Sequence, residues 1–180
     1  GMLRDGITTW MPSYISETYN LSNIISILTG VTIPIFTIIC LQLTSKLYSK
    51  VFTSPVLCAG MLFGLGMISA LVLNLLTGQN AVLSVAFSAL ITACMHGVNL
   101  LLLCMVPSAF KKLGNVSTVS GVLNACTYIG SALSTYGIAL ISESYGWNCT
   151  LMIWLIIAVA GTMLCFVCVK PWKDKISVLG

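Results

Sequence analysis

From Ser22 onward the chain is a succession of apolar segments, with its charges held in the short connections between them. A hydrocarbon core of about 30 Å needs roughly 20 apolar residues in a helix. Five segments meet that length, over residues 22–43, 55–76, 81–106, 116–141 and 147–169, and a shorter one covers residues 1–14. In lipid every backbone N–H and C=O must be satisfied within the protein, so segments of this kind must be helices packed on one another. Only 7% of the 180 residues are charged and 58% are hydrophobic, with a mean hydropathy of +1.03. A soluble domain carries about 25% charged residues, so this chain could not cover its own surface in water. The fold class predicted is all-α integral membrane, as one transmembrane domain over 1–180 with residues 170–180 as a tail. An ordinary soluble enzyme is excluded.

The charges are sorted between the two sides. Lys46 and Lys50 stand in the connection after the second segment, Lys111 and Lys112 after the fourth, and Lys170, Lys173 and Lys175 in the tail. The alternate connections hold Glu17 and Glu143 and no lysine or arginine. Cytoplasmic loops carry the excess of Lys and Arg, so the tail is expected in the cytoplasm of a multi-pass protein of the cell membrane. Lysines spread over segment ends make no patch for nucleic acid. Most of the eight cysteines lie well inside apolar segments without metal-ligand spacing, and Cys165-x-x-Cys168 reads as helix filler. No metal or cofactor is expected. The opening is charged within five residues and lacks a cleavage pattern, so it does not read as a signal peptide.

That opening, Arg4-Asp5-Gly6-Ile7-Thr8-Thr9-Trp10-Met11-Pro12-Ser13-Tyr14, holds the chain's one arginine. With Tyr14 and Glu17 at the outer interface, ten helical residues back to Arg4 span about 15 Å, half of a bilayer core. On this reading Arg4 sits near the midplane, and the chain is expected to begin inside a helix of a longer protein. The other reading makes Arg4 the anchor of a short helix, with Asp5 as its partner. As neighbours on a helix, the two side chains leave the backbone about 100° apart.

Two further segments carry polar stripes. Ser84, Ser88, Thr92, His96 and Asn99 recur at spacings of four and three, one face of a helix. They predict a water-lined cavity. Ser117, Ser120, Asn124, Thr127, Tyr128, Ser131 and Thr135 mark a second face, with Gly121, Gly130 and Gly137. Part of that stripe is expected to serve close helix packing, leaving Asn124 and Tyr128 for the cavity. The segments 55–76 and 147–169 are nearly all apolar and are expected outermost. Gly60-x-x-x-Gly64 reads as a packing motif, and Trp147 and Trp172 as interface anchors.

Polar first, fourth and fifth helices with apolar third and sixth helices form two triplets. This arrangement resembles the C-terminal half of a major facilitator superfamily transporter. Arg4-x-Gly6-x-x-x-Trp10-x-Pro12-x-Tyr14 is similar to the seventh helix of the organophosphate:phosphate antiporters, with partial matches at Ile33-Pro34, Tyr128-Ile129-Gly130 and Gly146-Trp147. The resemblance implies that Arg4 binds a substrate phosphate together with an arginine of an N-terminal six-helix half. It implies that Tyr128 lines the central cavity and, more loosely, that His96 does. Two positions depart from the family pattern: Thr29 stands where a glutamate is frequent, and Ser45-Lys46 where Asp-Lys is usual.

The predicted function is therefore half of a secondary transporter exchanging an organic phosphate for inorganic phosphate. Substrate contacts are expected from Arg4, Thr8, His96, Asn99, Asn124 and Tyr128. The partners expected are the small anionic substrate, the lipid bilayer and the N-terminal half. A facilitator carrier for a sugar, carboxylate or drug is the alternative, and a transporter-like sensor of phosphate esters a third. No paired carboxylates, His/Asp/Glu cluster or Ser-His-Asp set stand at one depth, which argues against a membrane enzyme. A fluorescent protein fused after Gly180 should fluoresce in cells, while alkaline phosphatase at the same place should be inactive. The reverse pattern would invert the orientation read from the lysines.

Overall fold

The computed structural model describes residues 1–22, 30–52 and 54–179, with side chains placed as far as Asp174. Every regular element among the described residues is helical. The helices are α1 (Met2–Tyr19), α2 (Thr32–Lys50), α3 (Pro55–Leu76) and α4 (Ala81–Leu100). A π-helical turn at Leu101–Met105 and a last turn at Val106–Ser108 carry α4 onward. The helical run Val116–Leu179 divides at Gly146, with φ 76° and ψ 176°, into α5 over 116–145 and α6 over 147–179. Positive φ at Gly146 is tolerated because no Cβ is present. The connection expected over residues 142–146 is thus a single glycine.

Where a helix start is written in local chemistry, the sequence boundary holds. The Ser54 side chain accepts the Leu57 N–H at 3.4 Å ahead of Pro55 at the first helical position. Asn80 accepts the Leu83 N–H at 3.2 Å ahead of α4. Both are N-caps, and proline is preorganised for the first turn.

Helix ends run longer than expected. The first helix continues to Tyr19 rather than Tyr14, and Asn20 closes it at φ 51°. The second runs to Lys50 rather than Leu43. Its expected start falls partly on residues 23–29, which lie outside the described residues, as does Thr29. The last continues past Val169 and through Pro171 to Leu179 instead of ending in a tail. Lysine marks the edge of the apolar layer, but it is a good helix former and suits the negative end of the dipole. Thirty-odd residues at 1.5 Å make α6 about 50 Å long, well beyond a bilayer core.

Packing relies on small residues at crossings. A Cβ on Gly6 of α1 would lie 2.4 Å from Ser134 Oγ and 2.7 Å from Ile138 Cδ1 of α5. On Gly97 of α4 it would meet Thr44 Oγ1 of α2 at 2.7 Å and Leu62 Cδ1 of α3 at 2.8 Å. A Cβ on Gly161 of α6 would lie 2.5 Å from the Phe63 ring, and one on Gly60 would lie 3.3 Å from Cys165 Cβ. The Gly60/Gly64 pair therefore serves the α3–α6 contact. Half of the α3 apolar window is buried between α4 and α6, and its other face is an exposed apolar row. Glycine and alanine on α3 allow two neighbours to approach at once.

The outward surface is apolar. Ile35, Ile38, Ile39 and Leu43 on α2 and Met61, Leu65, Ile68 and Leu75 on α3 are exposed along helical rows. Met152, Ile156, Met163 and Val167 do the same on α6. Exposed apolar area this continuous is foreign to soluble monomers. Among the described residues, three helical spans, Pro55–Leu76, Ala81–Ser108 and Val116–Asp174, are long and apolar enough to cross a membrane. The chain has the build of a membrane protein. Gly6→Val should lower stability by about 1–3 kcal/mol through overpacking, read as an earlier thermal unfolding midpoint in detergent. Gly121→Ala, with open space around it, should leave the midpoint unchanged or raise it.

Candidate functional site

Arg4 occupies the first turn of α1, and the helix is continuous from there to Tyr14 and on to Tyr19. The condition for placing Arg4 about 15 Å along the helix from Tyr14 is thus met. Its guanidinium is paired. Nε and Nη2 donate to Asp5 Oδ1 and Oδ2 at 2.5 and 2.7 Å. Ser131 Oγ of α5 donates to Asp5 Oδ2 as well. Although adjacent Cβ atoms diverge on a helix, the long arginine side chain folds back to its neighbour. Side-chain exposure is 15% for Arg4 and 29% for Asp5, so the pair is largely withdrawn from its surroundings.

The pairing is made along the Nε edge of the guanidinium. Arginine has five N–H groups, so the outer edge, formed by Nη1 and the second Nη2 hydrogen, is not engaged by Asp5. That edge can take two oxygens of one oxyanion in a fork. Arg4 also borders a cavity of about 440 Å³, with Asn99 and Thr127 as further polar lining and Phe63, Ile157 and Leu164 among the apolar wall.

Of the expected substrate contacts, Arg4 and Asn99 come together at this cavity. His96 is half-buried three residues before Asn99, within electrostatic reach of Arg4 and Asp5. Tyr128 lies within electrostatic reach of Arg4 yet is 62% exposed, on the open face of α5. Asn124 is half-buried one turn earlier and does not line the cavity. Thr8 is exposed, and its hydroxyl donates to the Arg4 carbonyl at 2.6 Å. Thr127 and Ser131 were legible as members of the α5 stripe. Phe63, Ile157 and Leu164 carry no signal, because they differ in no way from other apolar helix residues.

The α4 stripe divides in two. Ser84, Ser88 and Thr92 have no exposed surface, which corrects the expectation that the whole stripe lines a water-filled cavity. Ser84 Oγ pairs with the Tyr19 hydroxyl at 2.7 Å, and Thr92 Oγ1 donates to the Ser88 carbonyl at 3.1 Å. Small hydroxyl residues here let α1 lie close against α4. Only the His96–Asn99 end approaches the arginine.

Much of the α5 stripe also serves packing. Ser134 Oγ donates to the Met2 carbonyl at 2.8 Å, and Trp10 Nε1 donates to the Thr135 carbonyl at 3.1 Å. Ser120 Oγ donates at 3.4 Å to the Leu103 carbonyl, which loses its usual helical donor because Pro107 has no N–H. The π turn lies at the same place, with the Val106 N–H reaching back to the Leu101 carbonyl.

Away from Arg4, an aromatic group ties the far ends of four helices. Tyr14 and Tyr19 meet edge-on at 6.5 Å, and Tyr14 and Trp147 at 5.6 Å. The Tyr14 hydroxyl pairs with Thr77 Oγ1 at 3.1 Å, and Trp147 Nε1 donates to Glu17 at 2.8 Å. At the lysine-bearing end Phe110 meets Trp172 at 6.3 Å.

No known protein family, curated protein or solved structure matches this chain. The split stripe predicts different reactivity at two positions. In a variant with the native cysteines replaced, Tyr128→Cys should react readily with a maleimide, whereas Ser88→Cys should stay unlabelled until the protein is unfolded. Equal labelling of the two would mean that α4 lines an open path along its whole length.

Proposed function

We propose that this chain is the C-terminal six-helix half of a major facilitator superfamily carrier of the cell membrane. Paired with an N-terminal six-helix half, and with its C-terminus in the cytoplasm, it exchanges an organic phosphate ester for inorganic phosphate. The observation that carries this reading is Arg4: a largely buried guanidinium beside a cavity, with one edge free of Asp5. The resemblance of the Arg4-to-Tyr14 stretch to the antiporters' seventh helix supports it, and so does the sorting of the lysines.

Binding follows from the chemistry of that edge. Two phosphate oxygens accept the outer N–H groups of Arg4, and the planar fork selects an oxyanion over a neutral solute. Asn99 offers an amide to the remaining ester or hydroxyl oxygens, with His96 and Tyr128 flanking the site. The two halves then rock about the occupied site, exposing it to one side at a time. No bond is made or broken. Asp5 favours one alternative: a guanidinium already neutralised does not require a dianion, so a carrier of carboxylates is the second reading.

The test uses the protein with both halves present, in liposomes loaded with phosphate. Uptake of labelled phosphate should be inhibited by a phosphate ester. Arg4→Lys should reduce exchange by about a hundredfold or more, because a point charge cannot replace a bidentate fork. No exchange from a well-folded protein would overturn the phosphate reading, and exchange that survives Arg4→Lys would remove the site from Arg4.

A further inference from the structure

The site holds a carboxylate that the proposed binding step does not use. Asp5 takes the Nε edge of Arg4 with both of its oxygens, at 2.5 and 2.7 Å, which is the geometry an incoming oxyanion would adopt on the same group. It is also anchored from outside its own helix. Ser131 of α5 donates to Asp5 Oδ2, the oxygen that accepts Arg4 Nη2. Asp5 is the more exposed member of the pair, at 29% against 15%.

We propose that Asp5 is an internal competitor for Arg4, a resident oxyanion that an anionic ligand must outbid, and that Ser131 sets the strength of that competition. This rests on Arg4 being the anion site. One guanidinium has a fixed amount of positive charge to share. An oxyanion on its outer edge meets Asp5 as a like charge only a few ångströms away, so the carboxylate lowers affinity even if it keeps its own hydrogen bonds. If the ligand displaces it, Asp5 must give up a charge-assisted pair in partly buried surroundings. Either route makes Asp5 oppose binding. Ser131 holds it in the opposing position. The titratable groups facing the pair from other helices are His96 on α4 and Tyr128 on α5.

The consequence distinguishes this role from a structural one. Loss of a residue needed only for folding weakens binding, but loss of a competitor strengthens it. Asp5→Asn keeps the shape and one acceptor oxygen while removing the charge. Ser131→Ala leaves the carboxylate but frees it from α5. Asp5→Asn should bind an oxyanion roughly ten- to a hundredfold tighter, the worth of a charge-assisted hydrogen-bonded pair. Ser131→Ala should gain less, about two- to fivefold, as expected for one hydrogen bond in the network.

The experiment is calorimetric titration of the purified protein in nanodiscs with inorganic phosphate, glycerol 3-phosphate and lactate. Wild type, Asp5→Asn, Ser131→Ala and Arg4→Gln are compared, with thermal unfolding followed in parallel. Tighter binding by Asp5→Asn, lost in Arg4→Gln, establishes the competition. Equal or weaker binding by Asp5→Asn, with Arg4→Gln still abolishing it, overturns the competition and leaves Arg4 as the anion site. Tightening for lactate alone keeps the competitor and overturns the phosphate reading. Binding that survives Arg4→Gln, or no binding by wild type and Asp5→Asn alike, overturns both.

Discussion

A guanidinium among apolar helices must find partners, and the way Arg4 finds them governs how α1 meets α5. Burial of an unpaired charge is costly, and removing one partner of such a pair costs more than the pair gains. Asp5 neutralises Arg4 from the next position in sequence, and Ser131 fastens the pair to α5. For that hydroxyl to reach across, the two helices must run close together. Gly6 permits the approach, because a Cβ there would collide with Ser134 and Ile138. Two more bonds, Ser134 to the Met2 carbonyl and Trp10 to the Thr135 carbonyl, follow along the same seam.

The same logic extends through the bundle. Lipid tails are as apolar as leucine, so helices associate through close packing and interhelical polar contacts. Gly97 brings α4 against α2 and α3, and Gly161 and Gly60 bring α6 against α3. Asn74 Nδ2 donates to the Leu151 carbonyl at 3.1 Å, joining α3 to α6. Where Pro107 frees a carbonyl on the extension of α4, Ser120 of α5 supplies a hydroxyl. Polar residues in such a chain serve structure first. The few that remain near Arg4 after this use are His96, Asn99, Thr127 and Tyr128.

That division explains how much of the site could be read beforehand. The periodicity of Ser84, Ser88, Thr92, His96 and Asn99 correctly places them on one face of α4, because spacing alone fixes direction on a helix. It does not say what covers the face. The packing of α1 buries the first three and spares the end near Arg4. Asp5 shows the converse case. Sequence adjacency gives divergent Cβ directions, yet rotamers of a long side chain restore the contact, so the pairing with Asp5 that one sequence reading named is the one the side chains make.

Composition and patterning by themselves determined that the chain is helical and built for a membrane. Apolar runs of bilayer length leave the backbone no other way to satisfy its hydrogen bonds. They also determined the starts of α3 and α4, since Ser54, Pro55 and Asn80 act within one turn of themselves. Only the tertiary structure decided where helices end, which faces are covered and what fastens the Arg4–Asp5 pair to α5. Those outcomes depend on atoms far apart in sequence: Ser131 lies 126 residues from Asp5, and Thr135 lies 125 from Trp10. A pattern along one helix carries no information about the helix that will lie against it.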